Sequence, residues 1–261
     1  MSLPAQLKMY NLFPFIKRIL FPGLDIGTRK RMKFAKYFKG GDILTLDAGC
    51  GNGAFSFAAC KIGNGVIGID SDSHKLNRTL EFRDYLKIDP KRCDFKIHNI
   101  YNLLKLNQKF DQIICFETLE HIKDDEQAIK IFSEIMNEGG TLHLCVPYLN
   151  RKLYYGEIIS ETENGNHLRL GYTFEQLEEM IGKQGFKVLQ KDTAVGFFAQ
   201  KLINLLNWLQ LNLFKKFSNR IRDGFNSVIL IFLYPLTFLD KFIFTKPLNI
   251  YVAAQKILRR T

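Results

Sequence analysis

Two clusters of residues in this chain carry chemistry. The first is Asp47-Ala-Gly49-Cys50-Gly51-Asn-Gly53, three glycines within five residues preceded by an acid. Glycine lets a backbone turn tightly and approach a ligand closely, and a bend of this kind between a strand and a helix is where doubly wound sheets hold nucleotides. A second acid, Asp70, follows Asp47 by twenty-three residues. At the end of the next strand it would accept hydrogen bonds from both hydroxyls of a ribose. A dinucleotide would bring its pyrophosphate against Asp47, where like charges repel. S-adenosylmethionine has no phosphate and carries an ammonium and a sulfonium, which carboxylates attract. The G-x-x-x-x-G-K-[ST] loop of a P-loop NTPase does not occur in the sequence. The second cluster is Glu117-Thr-Leu-Glu120-His121. Methyl transfer from a sulfonium is an in-line displacement on an activated carbon, so a protein mainly aligns the acceptor and removes water. A hydroxyl acceptor also needs a base. Glu120 and His121, with His167 from a later segment, are the candidate catalytic groups.

These residues need elements to position them. Ile43–Leu46 reads as a short buried strand, Gly53–Lys61 as a helix, Val66–Ile69 as a second strand and Ser73–Leu86 as a helix. Phe95–Ile97 and Gln112–Phe116 read as further strands. A helix over Glu126–Met136 closes at a Gly139-Gly140 turn, and Thr141–Val146 is the fifth strand. Thr173 is the expected N-cap of a helix to Lys183, followed by a strand over Phe186–Lys191 and a last strand over Asn249–Ala254. Alternating strands and helices predict an α/β fold: a doubly wound, mostly parallel seven-stranded sheet. The glycine bend and the Glu117–His121 segment then both follow strands at their carboxyl ends.

The rhythm breaks over 194–245. Ala194–Phe214 has Lys201 as its single charge and reads as a helix with Leu202, Leu205, Leu206, Leu209 and Leu213 on one face. Lys215, Lys216, Arg220 and Arg222 follow, then twelve uncharged residues, Val228–Leu239. A membrane span needs about 20. This helical apolar insertion before the last strand is therefore expected to lie in a membrane interface or cover an apolar pocket, with ordinary packing or a subunit contact as the alternative. The predicted organisation is 1–40, a basic cap; 41–193, the cofactor-binding core; 194–245, the insertion; and 246–261, the last strand and a basic tail.

Net charge is +11, unevenly spread: residues 1–40 carry nine Lys/Arg and one acid, residues 191–261 eleven and three, and the middle is acidic. Basic ends suggest an anionic partner, a lipid surface or a nucleic acid. Leu7–Phe21 mixes apolar and basic residues and is not expected to act as a signal peptide. Five cysteines without a C-x-x-C pair argue against a disulfide framework or zinc finger and for a reducing, cytoplasmic setting. Cys115 reads as a small buried apolar residue. No pattern assigns an oligomeric state.

Asp47–Gly53, Asp70, Phe110–Glu117, Leu119–Ile122, Glu138-Gly-Gly-Thr-Leu142, Gly171–Leu177 and Gly185-Phe186 together resemble class I S-adenosylmethionine-dependent methyltransferases, nearest the small-molecule, lipid and quinone branch. The resemblance covers roughly 40–192 plus the last strand. It implies that Asp47, Gly49 and Gly51, with Cys50 and Gly53 in the same bend, line the methionine end of the cofactor. Asp70 would hold the ribose and Ser71 lie beside the adenine. Asn99 stands where an acid usually meets the adenine amino group, and Ile100 follows it; an amide oxygen still accepts that bond without the charge. Phe116 would face the methionine moiety through its carbonyl. A metal-dependent subset, including some quinone and RNA-end methyltransferases, shows the same E-x-x-E-H spacing. On that likeness Glu117, Glu120 and His121, with His167 as a fourth donor, would hold a divalent metal such as Mg²⁺, Mn²⁺ or Zn²⁺. Without one, Glu120 and His121 orient the loop and His121 serves as base or acceptor contact. Tyr148, Tyr154 and Tyr155 are expected to line the acceptor pocket.

The expected activity is methyl transfer to a hydroxyl of a lipid-linked, quinone-like or glycan-type acceptor by a cytoplasmic protein, peripheral at the inner face of a membrane. An RNA methyltransferase is the alternative, disfavoured because aromatics in 194–245 alternate with Leu and Ile rather than Arg. A non-catalytic cofactor-binding scaffold is the third.

Overall fold

A computed structural model describes residues 25–152, 154–163, 165–217, 225, 228–230, 232–243 and 245–257. The Leu7–Phe21 segment, Arg220, Arg222 and the basic residues Arg259 and Arg260 lie outside them. The seven strands are β1 (Leu44–Ala48), β2 (Gly65–Asp70), β3 (Cys93–Ile97), β4 (Phe110–Phe116), β5 (Met136–Pro147), β6 (Phe186–Ala194) and β7 (Asn249–Lys256). They form one sheet in the order β3-β2-β1-β4-β5-β7-β6. β1 to β5 run parallel, and β7 slots antiparallel between β5 and β6. The sheet is therefore doubly wound and mostly parallel, as the sequence implies.

Side chains alternate across a strand, and β4 shows how one sequence serves two cores. Ile113 and Cys115 enter a cluster with Leu46, Ile69 and Leu144, covered by α4 (Asp125–Ile135) and α5 (Phe174–Lys183). Ile114 and Phe116 enter the opposite cluster with Phe34, Phe55 and Tyr251. That side is covered by α1 (Ile26–Arg31) and the 3-10 helix after it (Met32–Tyr37), by α2 (Ala54–Lys61) and α3 (Ser73–Tyr85), and by α6 (Phe197–Trp208). Burial on both faces explains why the strands read as near-continuous apolar runs. Several helix starts are set by side-chain caps: Asp72 accepts from His74 N and Lys75 N, and Thr173, the expected N-cap of α5, also closes a capping box with Gln176.

Several boundaries differ from the sequence expectation. β5 begins at Met136, and Gly139-Gly140 lies within it rather than in a preceding turn; Gly139 takes φ +74°. Met136 already pairs with Phe110, so the ladder claims residues that local turn chemistry favoured. The helix expected over Ala194–Phe214 covers Phe197–Trp208 and then widens into a π-turn over Leu209–Leu213. Its buried stripe is Ala199, Leu202 and Leu206, whereas Leu205 and Leu213 face outward. The wider turn shifts the phase of the apolar repeat.

A buried polar relay crosses the sheet. His143 Nδ1 lies 2.7 Å from Tyr251 Oη and Nε2 lies 3.0 Å from Gln112 Oε1. Burial pushes the imidazole down to about 3. The unfolded chain takes up that proton near pH 6.5, so between those values the unfolded state binds more protons and acid favours unfolding. Lowering the pH to about 5 should remove roughly 2 kcal/mol. Thermal melts of wild type and His143→Gln at pH 7 and 5 test this: the variant starts lower but should lose less on acidification.

Candidate active site

Local chain geometry builds the cofactor side. Gly49, Gly51 and Gly53 have φ of +79°, +52° and +73°, values that disfavour a side chain. Gly49 N and Cys50 N both donate to Ile69 O at 2.8 Å, tying the bend to β2. A Cβ on Gly49 would sit 2.2 Å from Thr118 Oγ1, so this glycine lets the bend meet the loop after β4. A Cβ on Gly51 would meet nothing within 4 Å, and the open space above it is available to a ligand. Asp70 stands at its rim: Oδ2 accepts from Gly51 N and Oδ1 from Asp72 N, each at 2.9 Å. Two fixed oxygens with lone pairs remaining suit a ribose diol. Ser71 is exposed beside them, and Ile100 is buried.

Three expected contacts are placed differently from the sequence reading. Asp47 is buried, and its Oδ2 accepts from Ser56 Oγ at 2.5 Å on α2. Burial pushes its carboxyl up to about 7, so Asp47 is not the open negative charge that the argument about pyrophosphate assumed. Its visible work is to clamp the bend to the first turns of α2. Asn99 spends its Oδ1 on the N–H of Tyr101 at 2.8 Å, leaving one lone pair for an adenine amino group. The Phe116 carbonyl accepts from Thr118 Oγ1 at 3.0 Å, while its ring packs edge-on against Phe55, 4.4 Å between centroids.

The second cluster closes over the carboxyl end of β4. Glu120 is fully buried, yet neither carboxylate oxygen has a hydrogen-bond partner. Burial and the neighbouring Glu117 charge push its carboxyl well up. His121 Nε2 and His167 Nε2 lie 4.0 and 3.9 Å from Glu120 Oε1. These three side chains offer donor atoms that all fall within 4.8 Å of one another. Each histidine is anchored through its other nitrogen: His121 Nδ1 to Asn166 O at 2.9 Å, and His167 Nδ1 to Glu157 Oε1 at 3.1 Å. A proton on Nδ1 satisfies both anchors and leaves both Nε2 lone pairs turned toward the orphaned carboxylate. Burial also pushes His121 down, favouring the neutral ring. One carboxyl group and two imidazoles around one gap are a donor set that fits a small divalent cation. Glu117 does not join them: its carboxylate is held elsewhere.

Glu117 has φ +50°, an uncommon conformation for a side-chain residue. Arg31 Nη1 donates to its Oε2 at 3.0 Å and Asn249 Nδ2 to its Oε1 at 2.8 Å. The expected four-residue donor set therefore reduces to three, because α1 and β7 already satisfy this carboxylate. Arg31 and Asn249 were not legible in the sequence, since they lie 86 and 132 residues from their partner. Removing Arg31 strands a partly buried carboxylate. Arg31→Ala should cost about 2 kcal/mol, read by chemical denaturation, and Arg31→Lys should recover part of it.

The connection between β5 and α5 folds across these groups. Arg151 pairs with Glu157, Arg169 with Asp125, and Leu168 N donates to Glu120 O at 2.8 Å. Tyr154 is pushed up by burial near Glu117. Tyr155 is exposed, its N–H donating to Asn204 Oδ1 at 2.8 Å and its Oη accepting from Asn212 Nδ2 at 3.2 Å. The insertion thus grips this cover. Among the described residues near the amino end, Lys30 pairs with Asp240, Arg31 with Glu117, and Lys33 and Lys36 with Asp192.

An open glycine bend beside a fixed acid, at the carboxyl edge of a doubly wound sheet, defines a nucleotide-type cofactor site. Residues 40–199 match the family model described as a methyltransferase domain, and the chain belongs to that family. The ubiquinone biosynthesis O-methyltransferase of Pelagibacter ubique is 31% identical over 118 residues, 45% of this chain and 48% of that protein. The chain spans about half the length of the curated relatives it matches. Among solved structures, Haemonchus contortus phosphoethanolamine N-methyltransferase 2 in complex with S-adenosyl-L-methionine superposes with a TM-score of 0.60 at 20% identity, over 87% of this chain and 52% of that one. The [4+2]-cyclase SpnF superposes with a TM-score of 0.57 at 17% identity, over 84% and 77%. At such identities the likeness is one of fold.

Proposed function

We propose that this chain is an S-adenosylmethionine-dependent methyltransferase acting on a hydroxyl of a quinone-like or lipid-linked small molecule. The observation that carries this reading is an open glycine bend with Asp70 at its rim, which meets at Thr118 the loop carrying Glu120 and His121. When bound, S-adenosylmethionine supplies a methyl group already activated for displacement. The chain's own residues do the rest. Asp70 and the N–H groups around it orient the ribose, and Gly51 leaves room for the chain of atoms leading to the sulfur. The β5–α5 connection, latched by Arg151–Glu157 and Arg169–Asp125, excludes water. Where the cluster holds no cation, the Nε2 of His121 or His167, turned away from its anchored Nδ1, is the atom that would take the acceptor proton.

The finer part of the proposal is a divalent cation among Glu120, His121 and His167. The two unpartnered oxygens of Glu120 support it, since burying a carboxylate without partners is costly. A cation there would lower the pKa of a hydroxyl bound to it. The activity is further proposed to operate at the periphery of a membrane; no helix among the described residues is long and apolar enough to cross one.

The test is incubation with methyl-labelled S-adenosylmethionine and fractionated extract, before and after chelation. Label should enter the lipid or small-molecule fraction, fall on chelation and return with added Mg²⁺, Mn²⁺ or Zn²⁺. Label in RNA would overturn the acceptor class. Undiminished transfer after chelation would overturn the cation and leave the histidines as bases.

A further inference from the structure

We infer that the outer face of the insertion, built around Phe232, Phe238 and Phe242, docks onto a bilayer surface rich in anionic lipid. These rings are 74%, 65% and 68% exposed. All three lie within eleven residues of chain, and soluble proteins rarely expose large apolar patches without a use for them. Their backbone is anchored. Asp240 Oδ1 accepts from Phe198 N at 2.8 Å at the start of α6, and Thr237, buried, donates to Tyr234 O at 2.7 Å. Lys30 Nζ donates to Thr237 O at 2.5 Å. The rings are thus presented by a fixed 3-10 helix (Tyr234–Phe242) and the short helical stretch before it.

Cations stand over the aromatics. Lys241 Nζ lies 4.7 Å from the Phe242 ring centre and Lys201 Nζ 5.4 Å from that of Phe197 at the start of α6, and both lysines are exposed. The acid of this helix, Asp240, is largely buried and tied to Lys30 at 3.2 Å. Aromatic rings entering the acyl boundary while ammonium groups stay at the phosphate level is the pattern of an interfacial surface. Charge selects the occupant. The face is basic, and so is the chain before residue 25, which has Lys8, Lys17 and Arg18 and no acid. Neither that segment nor a second copy of this face complements it, whereas an anionic headgroup layer does. The same insertion holds Tyr155, so docking would set the cover of the active site beside the bilayer.

The inference deepens the proposed peripheral location and does not depend on which acceptor is methylated. The test is flotation of the full chain with vesicles of phosphatidylcholine alone or mixed with phosphatidylglycerol. Binding to the mixed vesicles should be at least about ten-fold stronger and should fall as salt is raised. The triple variant Phe232→Ser, Phe238→Ser, Phe242→Ser should stop floating while keeping its melting temperature and cofactor affinity. Wild type that stays unbound with mixed vesicles, or a variant that floats equally well, overturns the proposal. So does a wild-type dimer that the variant dissolves, since a second copy would then be the occupant. Wild type that does not float but methylates a detergent-solubilised phenol would sink the docking face alone; wild type that floats but methylates no such phenol would sink the proposed reaction alone.

Discussion

Asp70→Ala is expected to weaken S-adenosylmethionine binding by about 100-fold or more, measured by titration calorimetry. A hydrogen bond to a charged group contributes roughly 1.5–3 kcal/mol, and a ribose would lose two. The structure adds a further cost. Asp70 also receives the N–H groups of Gly51 and Asp72, so alanine loosens the bend that presents the methionine end. Asp70→Asn keeps one acceptor oxygen and should fall between the two. An affinity within a factor of about three of wild type, less than one such bond, would show that the ribose lies elsewhere.

Glu120→Gln should separate stability from activity. In the wild type the buried Glu120 carboxyl group lies beside two imidazoles with neither oxygen hydrogen-bonded, an arrangement that costs folding energy. A neutral amide of the same shape relieves that cost and can donate to a histidine Nε2. The melting temperature should therefore rise by a few degrees, as roughly 1 kcal/mol would shift a domain of this size. Turnover should fall by about two orders of magnitude or more, whether the carboxylate serves a cation or the acceptor proton. A variant that is both active and destabilised would mean that Glu120 only supports the loop, through the bond from Leu168 N to its carbonyl.

Much of the frame was readable because it is written in short-range signals. The apolar runs of β1, β2 and β4, the glycine bend and the Thr173 N-cap each need only a few neighbouring residues to be recognised. Asp70 was readable for the same reason, as an acid closing a strand. What escaped involves partners far apart in sequence. Nothing around Arg31 announces that a helix before the first strand reaches Glu117, and nothing around Asn249 announces that the last strand does so too. Asp47 illustrates a subtler limit. Its position was evident, but the direction of its carboxylate depended on Ser56 offering a hydroxyl from the next helix. The Gly139-Gly140 pair looked like a turn by composition and became strand because Phe110 was waiting to pair with Met136. The β5–α5 connection has no periodicity, so its latches appear only in three dimensions.

The position of β7 has a consequence for the order of events during synthesis. This strand is translated after β6, yet it lies between β5 and β6 and brings Asn249 to Glu117. Until it leaves the ribosome, β5 and β6 have no ladder between them and one oxygen of Glu117 lacks its amide. A nascent chain holding every residue of the glycine bend and the histidine cluster would still be incomplete. The frame around Glu117 should therefore close abruptly once β7 has emerged, when the hole in the sheet is filled.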